Sequence, residues 1–220
     1  MSVPIPIQII TLLFAVIVHE MAHGWMANKL GDPTAKAAGR ITLNPLPHID
    51  LYGSILIPLT MIILGSPFVI GWAKPVPFNS FYLKNPRKDA ALISLSGPVS
   101  NLLTAVACSI VLNIIARVLV NPFYESPLIT QFLLSFIQIN VVLAVFNLIP
   151  IHPLDGGKIL IGLLPEEEAE EADLFLKRYG TLILFFMIFP IFGGTSPAFM
   201  VITPVMNFVL TLLMPSAQIV

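Results

Sequence analysis

IPIQIITLLFAVIVHEMAHGWMAN, residues Ile5–Asn28, decides how the rest of the chain is read. From Ile5 to Val18 the only polar side chains are Gln8 and Thr11. About 24 residues make about 36 Å of helix, enough to cross a hydrocarbon core of about 30 Å, so the stretch predicts a membrane span. Inside it lies His19-Glu20-Met21-Ala22-His23. Four residues are about one helical turn, so both imidazoles project from one face and can grip one zinc ion. Glu20 stands beside them without being needed as a ligand. Three protein ligands leave a fourth position for water, and a glutamate can take that water's proton as it attacks a carbonyl. This is the chemistry of hydrolysis.

By itself H-E-x-x-H also occurs by accident in soluble helices. Its location is what matters here. Each ionisable group at bilayer depth costs roughly 2.5 to 3.5 kcal/mol on insertion scales. Two histidines and a glutamate together are therefore too costly to be decoration, and metal binding is the compensation.

Composition agrees. The chain has 220 residues, 56% of them hydrophobic and 10% charged, with a mean hydropathy of +0.91, whereas soluble domains carry about 25% charged residues. An integral membrane protein is expected. The net charge of −1 indicates neither a nucleic-acid footprint nor a polybasic lipid patch. Cys108 is the only cysteine, which excludes an internal disulfide and a cysteine-based metal cage. Met1-Ser2-Val3-Pro4 carries no basic residue, so the first span is expected to stay rather than be cleaved as a signal peptide.

After the first span, Lys29, Gly31 and Pro33 supply a basic last turn, a C-cap glycine and a stop. If Lys29 marks the interface, His23 lies about 9 Å and His19 about 15 Å inside it. The connection up to residue 50 carries Lys36 and Arg40, and Gly39–Leu43 has some strand character; the basic residues place it on the cytoplasmic side. Residues 51–72 are apolar but broken by Pro58, Gly65 and Pro67, and a second basic connection follows with Lys74, Lys84, Arg87 and Lys88. Two basic connections on one side make the segment between them a re-entrant hairpin, with an ordinary span as the alternative. Ala90–Val120 forms the next span and contains Gly97-Pro98-Val99-Ser100-Asn101. Asn101 serves either as interhelical glue or at the site.

Leu128–Ile149 is a further span. The chain then breaks at Pro150, Pro153, Gly156 and Gly157 before a short apolar piece ending at Leu164. From Gly156 to Leu164 is about 13 Å of helix, which sets Asp155 near the depth of His19 and His23. Asp155 is thus the expected third ligand, a helix N-cap being the other role open to it. Residues 165–178 form an acidic-to-basic run suited to an exposed cytoplasmic helix whose charges counter its macrodipole. Ala172–Phe192 and Pro197–Met214 complete the chain. The expected fold is an all-α polytopic membrane protein with about five full transmembrane helices, a re-entrant hairpin and minor strand content near the cytoplasmic side. It forms one domain, residues 1–220. Its parts are the zinc-ligand helix 5–28, the hairpin 51–72, the core spans 90–164, the polar segment 165–178 and the C-terminal helices 172–214.

His19-Glu20-x-x-His23 on a membrane helix, Gly97-Pro98-x-x-Asn101, and Asn147-x-x-Pro150-x-x-x-Leu154-Asp155-Gly156 occur in order on separate spans. Together they resemble the site-2 protease family of intramembrane zinc metalloproteases, in its compact subgroup without PDZ or CBS domains. The resemblance implies one zinc ion per chain held by His19, His23 and Asp155, with Glu20 as catalytic base. It further implies that Asn147, and with it Asn101, positions substrate. One departure is His152, which stands where relatives often have proline; it is a candidate accessory ligand or merely faces the cavity. His48 is either a loop or surface residue or a donor to an oxyanion.

The expected function is hydrolysis of peptide bonds within or near transmembrane segments. The partners are a transmembrane protein or peptide substrate and the lipid bilayer, with no nucleic acid; the sequence leaves the oligomeric state open. An extended substrate can pair with backbone of residues 147–155 or of the stretch near Ile41. The expected location is the cell (plasma) membrane, with the N-terminus outside and the site toward the cytoplasm. A zinc-binding transporter or sensor, or a noncatalytic binder derived from a protease, is the alternative; neither requires Glu20.

Overall fold

The computed structural model describes residues 4–64, 72–118, 127–189 and 196–214. The described residues form α1 (Ile5–Lys29), α2 (Thr34–Ala37), a 3-10 turn (Leu46–His48) and a π-helical turn (Leu51–Leu56) that runs into α3 (Ile57–Ile63). A second 3-10 turn (Ser80–Tyr82) precedes α4 (Pro86–Val118), α5 (Pro127–Asn147), α6 (Asp155–Leu163), α7 (Glu166–Ile188) and α8 (Pro197–Leu213).

The end of α1 follows from its sequence. Gly31 has φ 105°, a conformation that costs an L side chain more than glycine. That turn lets Gly31 N–H donate to Asn28 O and Asp32 N–H to Ala27 O, so the last carbonyls of the helix are satisfied. The chain leaves α1 sharply at this point, and α2 packs back against it.

The 33-residue α4 is the central post, packing against α1, α5 and α6. Polar residues sit inside this arrangement and apolar ones outside. Thr11, Asn101 and Asn140 are fully buried, whereas Leu103 is 64% and Ile110 58% exposed. The Thr11 and Ser135 hydroxyls are 3.1 Å apart between α1 and α5. Helices that meet in lipid gain little from burying leucine and are joined by such polar contacts and by small residues. Among the described residues three helices are long and apolar enough to cross a membrane: Pro6–Lys29, Pro86–Val118 and Pro127–Asn147.

Beyond these three, the architecture departs from expectation. The strand character at Gly39–Leu43 is not realised, and no strand occurs among the described residues. Local bonds take up the backbone there: Arg40 N–H donates to Ala35 O, Asn44 N–H to Thr42 Oγ1 and Leu46 N–H to Asn44 Oδ1. Short polar side chains that satisfy the backbone in this way remove the need for a ladder. The polar run 165–178 is likewise not separate from the span after it. Both belong to the single helix α7, because no proline lies between Glu166 and Ile188 and the one glycine, Gly180, is tolerated within the helix. Its first half is charged, and α8 has 17 residues, about 25 Å; neither meets the length and hydropathy of the other three.

Residues 65–71, the far part of the expected hairpin, lie outside the described residues. Its two ends meet. Trp72 N–H donates to Gly53 O at 3.1 Å, and the Ser54 hydroxyl donates to Trp72 O at 2.8 Å.

Candidate metal centre

The helical turn of α1 that carries His19, Glu20 and His23 faces α4 and the start of α6. His19 Nδ1 lies 2.6 Å from Asn101 Oδ1, and His23 Nδ1 lies 2.7 Å from Ile93 O. Both partners are acceptors, so each ring donates at Nδ1 and keeps its Nε2 lone pair free. These lone pairs converge on Asp155. Its Oδ2 stands 3.0 Å from His19 Nε2 and 3.3 Å from His23 Nε2.

One donor atom from each of the three residues lies within 4.8 Å of the others. A tetrahedral zinc with bonds of about 2.0–2.1 Å sets its donors about 3.3 Å apart, so two imidazoles and a carboxylate at these spacings fit the ion. Gly97 of α4 makes the assembly possible. A Cβ added there would stand 2.5 Å from His23 Cε1 and 2.6 Å from His19 Cε1. Asp155 arrives because α5 stops at Asn147, and the turn closed by Leu154 N–H to Ile151 O starts α6 beside α4.

Next to this cluster is a cavity of about 160 Å³ lined by His19, Glu20, His23, Asn147, Asp155 and Lys158, among others. Glu20 lies in its wall and is not one of the clustered donors. Its Oε2 accepts from Val76 N–H at 2.8 Å. Asn147 lines the cavity too, and its Nδ2 donates to Leu143 O at 2.9 Å.

Asn101, His48 and His152 lie outside the cavity lining. Asn101 is fully buried and does not line the cavity. Its Oδ1 meets His19, and its Nδ2 donates to Ala15 O at 3.1 Å and to Asn140 Oδ1 at 2.8 Å. It thus stands where an outer partner of His19 would, a kind of contact whose loss typically costs 10- to 100-fold in metal affinity. His48 packs inside its own loop, with Nε2 donating to Thr42 O at 3.0 Å, and does not line the cavity. His152 is outside both the donor cluster and the cavity lining; its backbone and Cβ lie against Gly180 of α7.

Three features carry no signal that sequence reasoning used. Asn140, Asn101's partner, looks like any isolated amide in an apolar helix. Lys158 follows Asp155 by three residues, so it shares that face of α6, a spacing that was there to be read. The 73–79 segment reaches the cavity by tertiary folding alone.

Helices that put apolar side chains outward around a two-histidine, one-carboxylate cluster, with a glutamate beside it, define a membrane protein with a candidate metal site. The chain belongs to Peptidase family M50, whose profile matches residues 7–123 and 118–191, and so to the site-2 protease family. It is 40% identical over 166 residues to the "Putative zinc metalloprotease YwhC" of Bacillus subtilis, covering 73% of this chain and 70% of the relative. It is 31% identical over 176 residues to the "Putative zinc metalloprotease Rip2" of Mycolicibacterium smegmatis, covering 78% of this chain and 62% of the relative. The protein of the same name from Mycobacterium tuberculosis is 30% identical over 144 residues, covering 66% of this chain and 52% of the relative. No solved structure matches the chain. The family and its relatives' names support a metalloprotease in a membrane.

Proposed function

We propose that the chain is an intramembrane zinc endopeptidase that hydrolyses peptide bonds within or near the transmembrane segments of membrane-protein substrates. The observation that carries this reading is the position of Glu20, in the cavity of the His19–His23–Asp155 cluster but outside the donor set. When bound there, zinc polarises the scissile carbonyl and acidifies a water. His19, His23 and Asp155 hold one ion per chain. Glu20 accepts the water's proton and passes it to the leaving amine. Its Oε2 is engaged by Val76 N–H, while Oε1 makes no hydrogen bond among the described residues and is the oxygen placed for the proton. Asn147 presents a polar side chain to the substrate backbone. A substrate helix hides its carbonyls in its own hydrogen bonds, so it must unwind locally before reaching this cavity.

A test uses the full chain reconstituted with candidate single-span membrane proteins, with product termini mapped by mass spectrometry. The expected termini fall inside or beside the apolar segment. Cleavage confined to soluble, unfolded peptides would overturn the intramembrane part of the reading.

The proposal includes five crossings by α1, α4, α5 and the regions of α7 and α8, in the cell membrane, with residues 51–72 entering and leaving by one face. The meeting of Gly53 and Ser54 with Trp72 supports that re-entry. If His23 and Asp155 share a depth near the cytoplasm, α1 and α5 run inward and α4 outward. The N-terminus is then outside, and both basic connections are cytoplasmic. Lys36→Cys, Lys84→Cys and Glu125→Cys, each in a Cys108→Ser background, are probed in intact cells with an impermeant thiol reagent. Only position 125 is expected to label. Labelling at position 84 would make residues 51–72 a full span and would reverse this topology.

A further inference from the structure

Arg40 is only 5% exposed, and among the described residues no carboxylate pairs with it. Burying a guanidinium without an acidic partner is costly unless its donors are satisfied. Nη2 donates to Lys74 O at 3.2 Å and to Pro75 O at 3.1 Å, two successive carbonyls of the 73–79 segment, while Nη1 is buried with no hydrogen-bond partner among the described residues. The next residue, Val76, donates its N–H to Glu20 Oε2.

The rest of the segment is tied down on both sides of that bond. Lys74 N–H donates to His48 O at 2.9 Å. Asn79 N–H donates to Asp32 Oδ2 at 2.6 Å. Burial alone raises the Asp32 carboxyl pKa, but bonds from the Thr34 hydroxyl, Asn79 N–H and Thr34 N–H outweigh it and hold the group below the usual carboxylate range. Asp32 therefore stays an anionic anchor. Phe78 lies under Lys158, whose Nζ is 4.8 Å from the ring. Pro75 and Pro77 flank Val76 and have no N–H to offer, leaving Val76 as the only donor among these three residues.

We infer that Arg40 is a positioning residue for the base Glu20, acting through the 73–79 segment that it clamps across the cavity. The inference rests on the protease reading above. Both carbonyls meet the single nitrogen Nη2, held at the rim of a rigid planar guanidinium, whereas an ammonium is a point charge on a flexible stem, so charge alone at position 40 does not suffice.

The test uses the full chain with a cleaved single-span substrate, and reads kcat, KM, bound zinc and deuterium uptake. A fragment of residues 74–78 reports only the amides of Val76 and Phe78, because Lys74 becomes its free amine and Pro75 and Pro77 have no N–H. Arg40→Ala is expected to lower kcat about 10- to 100-fold, the scale of a 1 Å misplacement, with KM and zinc unchanged and uptake over 74–78 increased. Added guanidinium ion restores part of kcat and of the protection. Arg40→Lys shows the same loss in milder form, and it decides the matter if Arg40→Ala does not fold. Unchanged uptake, a kcat loss that tracks zinc loss, or failure of guanidinium to rescue would each overturn the inference. Uptake over 74–78 also rises in Glu20→Ala if Glu20 holds Val76. That arm needs no cleavage, so a chain that hydrolyses nothing sinks the protease reading while the link from Arg40 through Val76 to Glu20 is still decided.

Discussion

Protein carrying Glu20→Gln is expected to bind zinc as the native chain does and to cleave no substrate. The substitution removes the carboxylate that accepts the water's proton but none of the three clustered donors. General-base catalysis contributes typically 10²- to 10⁴-fold, so residual turnover should fall at least that far. Glutamine keeps a side-chain oxygen that can still accept from Val76 N–H, as Glu20 Oε2 does at 2.8 Å, so the cavity wall is retained. Elemental analysis of the purified protein and cleavage of a co-expressed single-span substrate check the two halves together. Zinc lost in parallel with activity would mean that Glu20 ligates rather than acts as base.

The second large effect is expected from Asp155→Ala, which should lose zinc and activity together. Only two histidines would remain, and three protein donors are the usual complement of a catalytic zinc site. Asp155 Oδ2 is the atom that both Nε2 atoms approach, at 3.0 and 3.3 Å. Zinc stoichiometry measured on Asp155→Ala and Asp155→Asn separates loss of the carboxylate from loss of the side chain. Unchanged stoichiometry would require another third ligand. Glu20 is then the nearest candidate, because it shares the cavity, whereas His152 sits against Gly180 of α7.

The sequence by itself determined the membrane class and the local geometry of the α1 motif. An apolar run long enough to span is a property of consecutive residues. The shared face of His19 and His23 follows from a four-residue spacing on any helix. The depth estimate that singled out Asp155 also needed only counting, because helix rise converts residue number into distance. Even the stop after α1 was legible, since Gly31 provides a backbone conformation that other residues avoid.

Tertiary structure alone decided which partners those residues meet. Asn101 could be read for helix contacts or for the site, and only the packing of α4 between α1 and α5 places its amide between His19 and Asn140. His152 is three residues from Asp155, yet the turn before α6 leaves it against α7 and outside the cluster. Arg40 read only as a basic residue of the first connection, and the fold buries it against the backbone of the 73–79 segment. The physical reason is common to all three. Helical spacing fixes which residues share a turn, whereas a hydrogen bond between segments 34 to 86 residues apart depends on how helices approach, and small residues such as Gly97 set that approach without encoding what will fill it.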